Sequence, residues 1–144
     1  GPHKKKLMKK VSELGLTTSV IITGSVPWDQ LPAHYAAGDV FAMPCRTRLR
    51  GLDVEGLGIV YLEASATGLP VIGGRSGGAP DAVLEGVTGH SVDGNDAVGL
   101  TANLVELLTD HDKADHMGQA GRAWVQEKWT WRTQMDKLAA ILTG

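Results

Sequence analysis

DVEGLGIVYLEASATGLP, residues 53–70, is the stretch on which the rest of the chain is organised. Two carboxylates, Glu55 and Glu63, stand with seven residues between them, and Gly-Leu-Gly follows the first. Residues 59–66 are small and apolar and predict a helix, which Gly68-Leu69-Pro70 then stops. Placed after a strand, the stretch becomes loop, helix N-terminus, then a carboxylate farther along. Loop amides and the positive end of a helix dipole make an anion site suited to phosphate. Measured as helix, Glu63 lies roughly 12 Å along the axis from Glu55. A plainer reading stands beside this one, since Glu is an ordinary residue near a helix start. Glu63 also sits among Tyr61, Leu62, Ala64 and Ala66, so its helix reads as mostly buried. A carboxylate there needs a partner, or it carries a large desolvation cost.

Composition narrows the classes. At 144 residues the chain reads as one domain, residues 1–144, with enough length for a core. Hydrophobic residues at 42% and charged residues at 21% are those of a globular protein. A formal net charge of −2 gives no electrostatic reason to expect a nucleic-acid partner. The single Cys45 excludes an internal disulfide and points to a reducing compartment. No apolar run reaches the roughly 18 residues needed to span a bilayer, and no signal peptide is evident, so a cytoplasmic location is expected. The five histidines, His3, His34, His90, His111 and His116, are scattered without metal-ligand spacing.

Along the chain, short apolar runs alternate with amphipathic segments, the pattern of an α/β fold with a mostly parallel sheet. Residues 4–15 predict a helix with Leu7, Met8, Val11 and Leu14 on one face. Its five lysines, Lys4, Lys5, Lys6, Lys9 and Lys10, suit either anionic lipid or a solvated face. The runs at 20–23, 39–43, 70–73 and 88–92 predict strands. Helices are predicted at 28–37, 79–85, 97–108, 112–128 and 131–142. In the last, Met135, Leu138 and Ile141 fall in register for burial. Residues 45–54 form a loop carrying Arg46, Arg48, Arg50 and Asp53; the arginines suit a phosphate clamp or solvated loop charges. The glycine-rich run at 73–78 is either a ligand-approaching loop or a simple strand-to-helix connection. No G-x-G-x-x-G follows a first strand, which argues against a dinucleotide-binding oxidoreductase.

Together these residues carry a resemblance. Glu-Gly-Leu-Gly-Ile-Val-Tyr-Leu-Glu at 55–63 resembles the E-x7-E motif of the family-four retaining glycosyltransferases, which have the GT-B fold. Thr-Gly-Ser-Val-Pro at 23–27, Phe-Ala-Met-Pro at 41–44, Ser-Gly-Gly-Ala-Pro at 76–80 and Gly-Arg-Ala-Trp at 121–124 fall in matching places. The stretch 43–55 is most similar to GDP-mannose-dependent phosphatidylinositol mannoside α-mannosyltransferases.

The resemblance implies a Rossmann-like domain, the donor-binding C-terminal half of a GT-B enzyme without its first strands and without the acceptor domain. It implies Glu55 as the candidate catalytic residue, facing the sugar hydroxyls. The amides of Gly56, Leu57, Gly58, Ile59 and Val60 would hold diphosphate and sugar, and Glu63 would accept from the ribose. Ser25, Val26, Met43 and Pro44 would line the base pocket. GDP-mannose would be the donor and a phosphatidylinositol mannoside the acceptor, met through the other domain. No metal or other cofactor is expected, because amides and basic side chains meet the diphosphate charge. The isolated chain is expected to be inactive, to dimerise through an exposed sheet edge, and to touch the inner face of the cell membrane peripherally. Two rivals remain open: a transferase using a UDP-glucose type of donor, and a non-catalytic binding or assembly fragment.

Overall fold

Three short apolar runs pair into a parallel sheet in the computed structural model, which describes residues 2–143. They are β1 (Phe41–Met43), β2 (Val71–Gly74) and β3 (Gly89–Val92), in the order β1-β2-β3. Phe41 pairs with Val71, and Val71 in turn with Gly89. All four residues of the central strand are buried, as a parallel strand covered on both faces requires. Successive side chains of β2 point to opposite faces and seed two cores. Val71 packs with Tyr61, Leu62, Leu69 and Val83 on one side. Ile72 packs with Val92, Leu107 and Met117 on the other.

The six helices among the described residues are α1 (Lys4–Glu13), α2 (Leu31–Ala36), α3 (Ile59–Ala66), α4 (Ala97–Thr109), α5 (His111–Lys128) and α6 (Trp131–Thr143). Of these, α3, α4 and α5 pack against the sheet. Asp96 and Asp110 cap α4 and α5 with their carboxylates, accepting from Gly99 N at 2.9 Å and Lys113 N at 3.0 Å. The α3 and α5 backbones approach closely at small residues, with Gly118 against the Gly68 carbonyl and Gly121 against Ser65. Among the described residues no helix is long and apolar enough to cross a membrane.

The chain falls into two compact units, residues 1–31 and 32–144, and the sheet belongs to the second. In the first unit α1 exposes nearly everything it carries, including all five lysines and Leu7, Met8 and Leu14. The strand predicted at 20–23 does not form; residues 20–27 carry no regular structure, and Ile21 is 86% exposed. A β-branched run becomes a strand only where a neighbour completes the ladder, and this run has no paired neighbour among the described residues.

Three other expectations change. The helix predicted at 28–37 divides into a 3₁₀ turn, Trp28–Gln30, and α2. The one predicted at 79–85 is only a 3₁₀ turn, Ala79–Ala82, after which Val83 is extended. The apolar register of α6 is present, but none of its described residues is buried; Met135 and Ile141 are 56% and 78% exposed.

Candidate functional site

The site grows from the loop that carries the chain from the C-terminal end of β1 to the N-terminus of α3. Within it Arg48 N donates to Asp53 O at 2.8 Å, Asp53 N returns to Arg48 O at 3.2 Å, and their side chains form an ion pair at 2.7 Å. Between them Leu49 and Arg50 take positive φ, 49° and 55°. Non-glycine residues rarely adopt that region, so the tip is held there by the bridge below it. Buried Ser76, from the loop after β2, ties both ends of this hairpin down. Its Oγ lies 3.0 Å from Thr47 Oγ1 and accepts from Glu55 N at 3.3 Å. Gly78 N donates to Glu55 O at 3.1 Å and to Gly56 O at 3.0 Å. The two loops therefore touch backbone to backbone. Gly77 has φ +54°, and a Cβ there would run into the Glu55 carbonyl.

Gly58 begins α3 in the left-handed region, φ 74°, directly over the Tyr61 ring. Tyr61 is fully buried and donates its hydroxyl proton to Met43 O at 2.7 Å, with Cys45 Sγ 3.2 Å away. Burial, then the Cys45 contact, pushes its pKa above the ordinary tyrosine range. This side chain joins the helix start to the end of β1. The resulting turn leaves a row of donors: among the described residues the amides of Gly56 to Val60 donate to no protein acceptor. Unpaired amides at a helix N-terminus bind anions.

The two carboxylates occupy different environments. Glu55 is not on the helix, since three loop residues separate it from Ile59, so a helical rise does not describe its distance from Glu63. Half-buried, it lines a cavity of about 340 Å³ with Pro44, Arg46, Arg48 and Asp53. Glu63, also half-buried, opens on an apolar cavity of about 420 Å³ walled by Ile59, Leu62, Val125 and Trp129. Its partner is Tyr35, whose hydroxyl donates to Glu63 Oε2 at 2.9 Å.

Burial, the hydrogen bond to Glu63 and the charge of Glu63 push the Tyr35 hydroxyl from 10.0 to about 12. A group whose folded pKa is raised contributes stability in full below its unfolded pKa. That contribution should therefore be lost as pH rises from 10 toward 12. Urea unfolding of the wild type and of Tyr35→Phe across that window checks this. The wild type should lose its advantage over the variant as pH rises, and a constant difference would contradict the assignment.

Of the residues expected to line a base pocket, Pro44 lies beside Glu55, and Met43 is half-buried with its carbonyl taken by Tyr61. Ser25 is exposed and Val26 half-buried, both within the unit of residues 1–31. Tyr35, Tyr61 and Ser76 were not singled out by sequence reasoning. The one signal for Tyr61 was its place one helical turn after Gly58. Among the described residues no three His, Cys, Asp or Glu side chains cluster to hold a metal ion.

Comparison with known proteins gives the chain's family and fold. The model of the family described as glycosyl transferases group 1 matches residues 1–124. The chain belongs to that family. This group 1 glycosyltransferase chain is 54% identical over 144 residues to the GDP-mannose-dependent alpha-(1-6)-phosphatidylinositol monomannoside mannosyltransferase of Mycolicibacterium smegmatis. The match covers 100% of this chain and 38% of that protein, so the chain spans about two fifths of its relative's length. Among solved structures, sucrose-phosphate synthase from Thermosynechococcus elongatus superposes with a TM-score of 0.85 at 30% identity, covering 99% of this chain and 35% of the other. The C-terminal domain of a glycosyl transferase group 1 family protein from Francisella tularensis superposes with a TM-score of 0.78 at 25% identity, covering 90% of this chain and 64% of that one. The Rossmann-like sheet of this group 1 glycosyltransferase is thus that of the C-terminal half of a GT-B fold.

Proposed function

We propose that the chain is the donor-binding part of a retaining mannosyltransferase that moves mannose from GDP-mannose to a phosphatidylinositol mannoside. The observation that carries this reading is the row of unengaged amides from Gly56 to Val60, set between Glu55 and Glu63. The amides meet the donor diphosphate, whose charge also interacts favourably with the dipole of α3. Glu55 accepts hydrogen bonds from the sugar hydroxyls and orients the donor. Glu63, held at one oxygen by Tyr35, keeps the other for the ribose hydroxyls. Amides preorganised by Ser76 and Gly78 stabilise the charge that grows on the phosphate as the glycosidic bond breaks, without reorganising at that moment. The leaving phosphate takes the acceptor proton, so no side chain is assigned as base. The lipid acceptor is bound through the rest of the longer protein, with peripheral contact at the membrane face.

Identity to mannosyltransferases named as GDP-mannose-dependent supports guanine over uracil in the donor. Calorimetric titration of the chain with GDP and with UDP tests this. GDP should bind more tightly, and Glu63→Ala should weaken it by about tenfold, the loss of a hydrogen bond to a charged group. Tighter binding of UDP would instead favour a UDP-sugar donor. Binding of neither nucleotide would contradict a donor half-site in this chain.

A further inference from the structure

We propose that the hairpin of residues 46–54 is a lipid-surface contact, whose tip enters the head-group region of an anionic membrane; this rests on the lipid acceptor of the reading above. The tip is built outward. Leu49 and Leu52 are 71% and 89% exposed, with exposed Arg50 and Gly51 between them. Leu49 and Arg50 both stand in the left-handed region, and Gly51 follows at φ 95°. Two consecutive non-glycine residues there cost stability, and such strain persists only where the surrounding structure imposes it. Here the bridge between Arg48 and Asp53 imposes it, with Gly51 N donating to Arg48 O at 3.0 Å and Leu52 N to Leu49 O at 3.2 Å. Nothing inside the molecule uses the result. Among the described residues no side chain from 49 to 52 has a hydrogen bond or an ion pair. The strained turn presents two leucines and an arginine to the outside.

The charges select the occupant. Arg48 is neutralised by Asp53, whereas exposed Arg46 and Arg50 have no carboxylate within ion-pair distance among the described residues. The whole chain carries a formal net charge of −2, so this positive excess is local. A protein partner covering the leucines would have to desolvate or pair both guanidinium groups. An anionic bilayer asks for neither. The leucines enter its acyl boundary while the arginine heads stay hydrated at the level of the lipid phosphates. The surface potential reaches roughly 8 Å, one Debye length, in physiological salt, so it attracts these charges wherever the flexible heads point. The hairpin is also coupled to the site. Ser76 Oγ holds Thr47 Oγ1 on one limb and Glu55 N just beyond the other, at 3.0 and 3.3 Å. Docking of the tip therefore sets how far Glu55 stands from the membrane in which the acceptor's head group is presented.

The test is paramagnetic broadening of the backbone amide signals of the 144-residue chain by vesicles that carry a nitroxide-labelled lipid. The vesicles are phosphatidylcholine alone, or phosphatidylcholine with phosphatidylinositol. Signals resolved by residue are needed because α1 exposes five lysines of its own. With phosphatidylinositol present the amides of 49–52 should broaden, and phosphatidylcholine alone should broaden them several-fold less. Leu49→Ser combined with Leu52→Ser should weaken vesicle binding at the hairpin by about tenfold. Arg46→Gln combined with Arg50→Gln should remove the preference for phosphatidylinositol. A dispersed amide spectrum reports that each variant is folded. Broadening that spares 49–52, whether or not α1 broadens, would overturn the proposal and leave the leucines to a protein partner. Equal broadening by phosphatidylcholine alone, or an unchanged response in the serine variant, would overturn it too. Hairpin broadening in a chain whose Gly56 to Val60 amides ignore GDP would leave the contact standing and sink the donor reading instead.

Discussion

Tyr61→Ala is expected to destabilise the unit of residues 32–144 by about 3–5 kcal/mol, the range for truncating a fully buried aromatic side chain. The ring fills the space beneath Gly58, packs against the T-shaped neighbour Phe41 at 6.1 Å, and belongs to the larger of the two cores. For a unit of this size the loss should lower the melting temperature by more than roughly 10 °C. Tyr61→Phe separates the ring from its hydroxyl. It keeps the packing but removes the 2.7 Å hydrogen bond to Met43 O, which still accepts from Cys45 N, at a cost of about 0.5–1.5 kcal/mol. The Phe variant should also bind GDP more weakly, since the hydroxyl is what joins the end of β1 to the start of α3. Urea unfolding and a GDP titration of both variants check this. Equal stability of wild type and Phe variant would remove the hydroxyl from the account.

The second large effect is expected at Gly77. Alanine there must adopt φ near +54°, which costs a residue with a Cβ about 1–2 kcal/mol. Its Cβ would also meet the Glu55 carbonyl, a backbone atom that cannot swing aside as a side-chain end could. The loop must therefore move, and with it the Gly78 N–H that holds Glu55 O and Gly56 O. Destabilisation of about 2 kcal/mol or more is expected from strain and clash together. GDP affinity should fall further than stability does, because the displaced segment carries the first phosphate-facing amides. Gly24→Ala is the control: its φ is also positive, 81°, but nothing lies within 4 Å of its Cβ, so the strain comes without the collision. If Gly77→Ala and Gly24→Ala lost the same stability and bound GDP alike, close approach of the two loops would play no part.

Much of this was legible because its causes are local. The helix predicted at 59–66 forms over Ile59–Ala66, since a run of small apolar residues before Gly68 and Pro70 settles both ends within a few residues. β2 and β3 lie within a residue of their predicted bounds for a similar reason: short apolar runs closed by glycine or polar turns. What escaped depends on partners far away in sequence. Glu63 was recognised as needing a partner, but Tyr35 is 28 positions distant and nothing in spacing selects it. Ser76 reaches Glu55 across 21 positions. The run at 20–23 has a strand's composition without a paired neighbour among the described residues. The three loop arginines were equally compatible with a clamp and with solvent. Only the fold separates them, giving Arg48 to Asp53 and Arg46 to the cavity.

The central claim is that the Gly56 to Val60 amides are a guanine nucleotide's phosphate site, and mapping GDP onto the amide spectrum of the chain tests it most directly. The account predicts saturable shifts at Gly56, Leu57, Gly58, Ile59 and Val60, smaller with UDP and smaller in Glu63→Ala. A well-dispersed spectrum in which GDP leaves those five amides unmoved would contradict it.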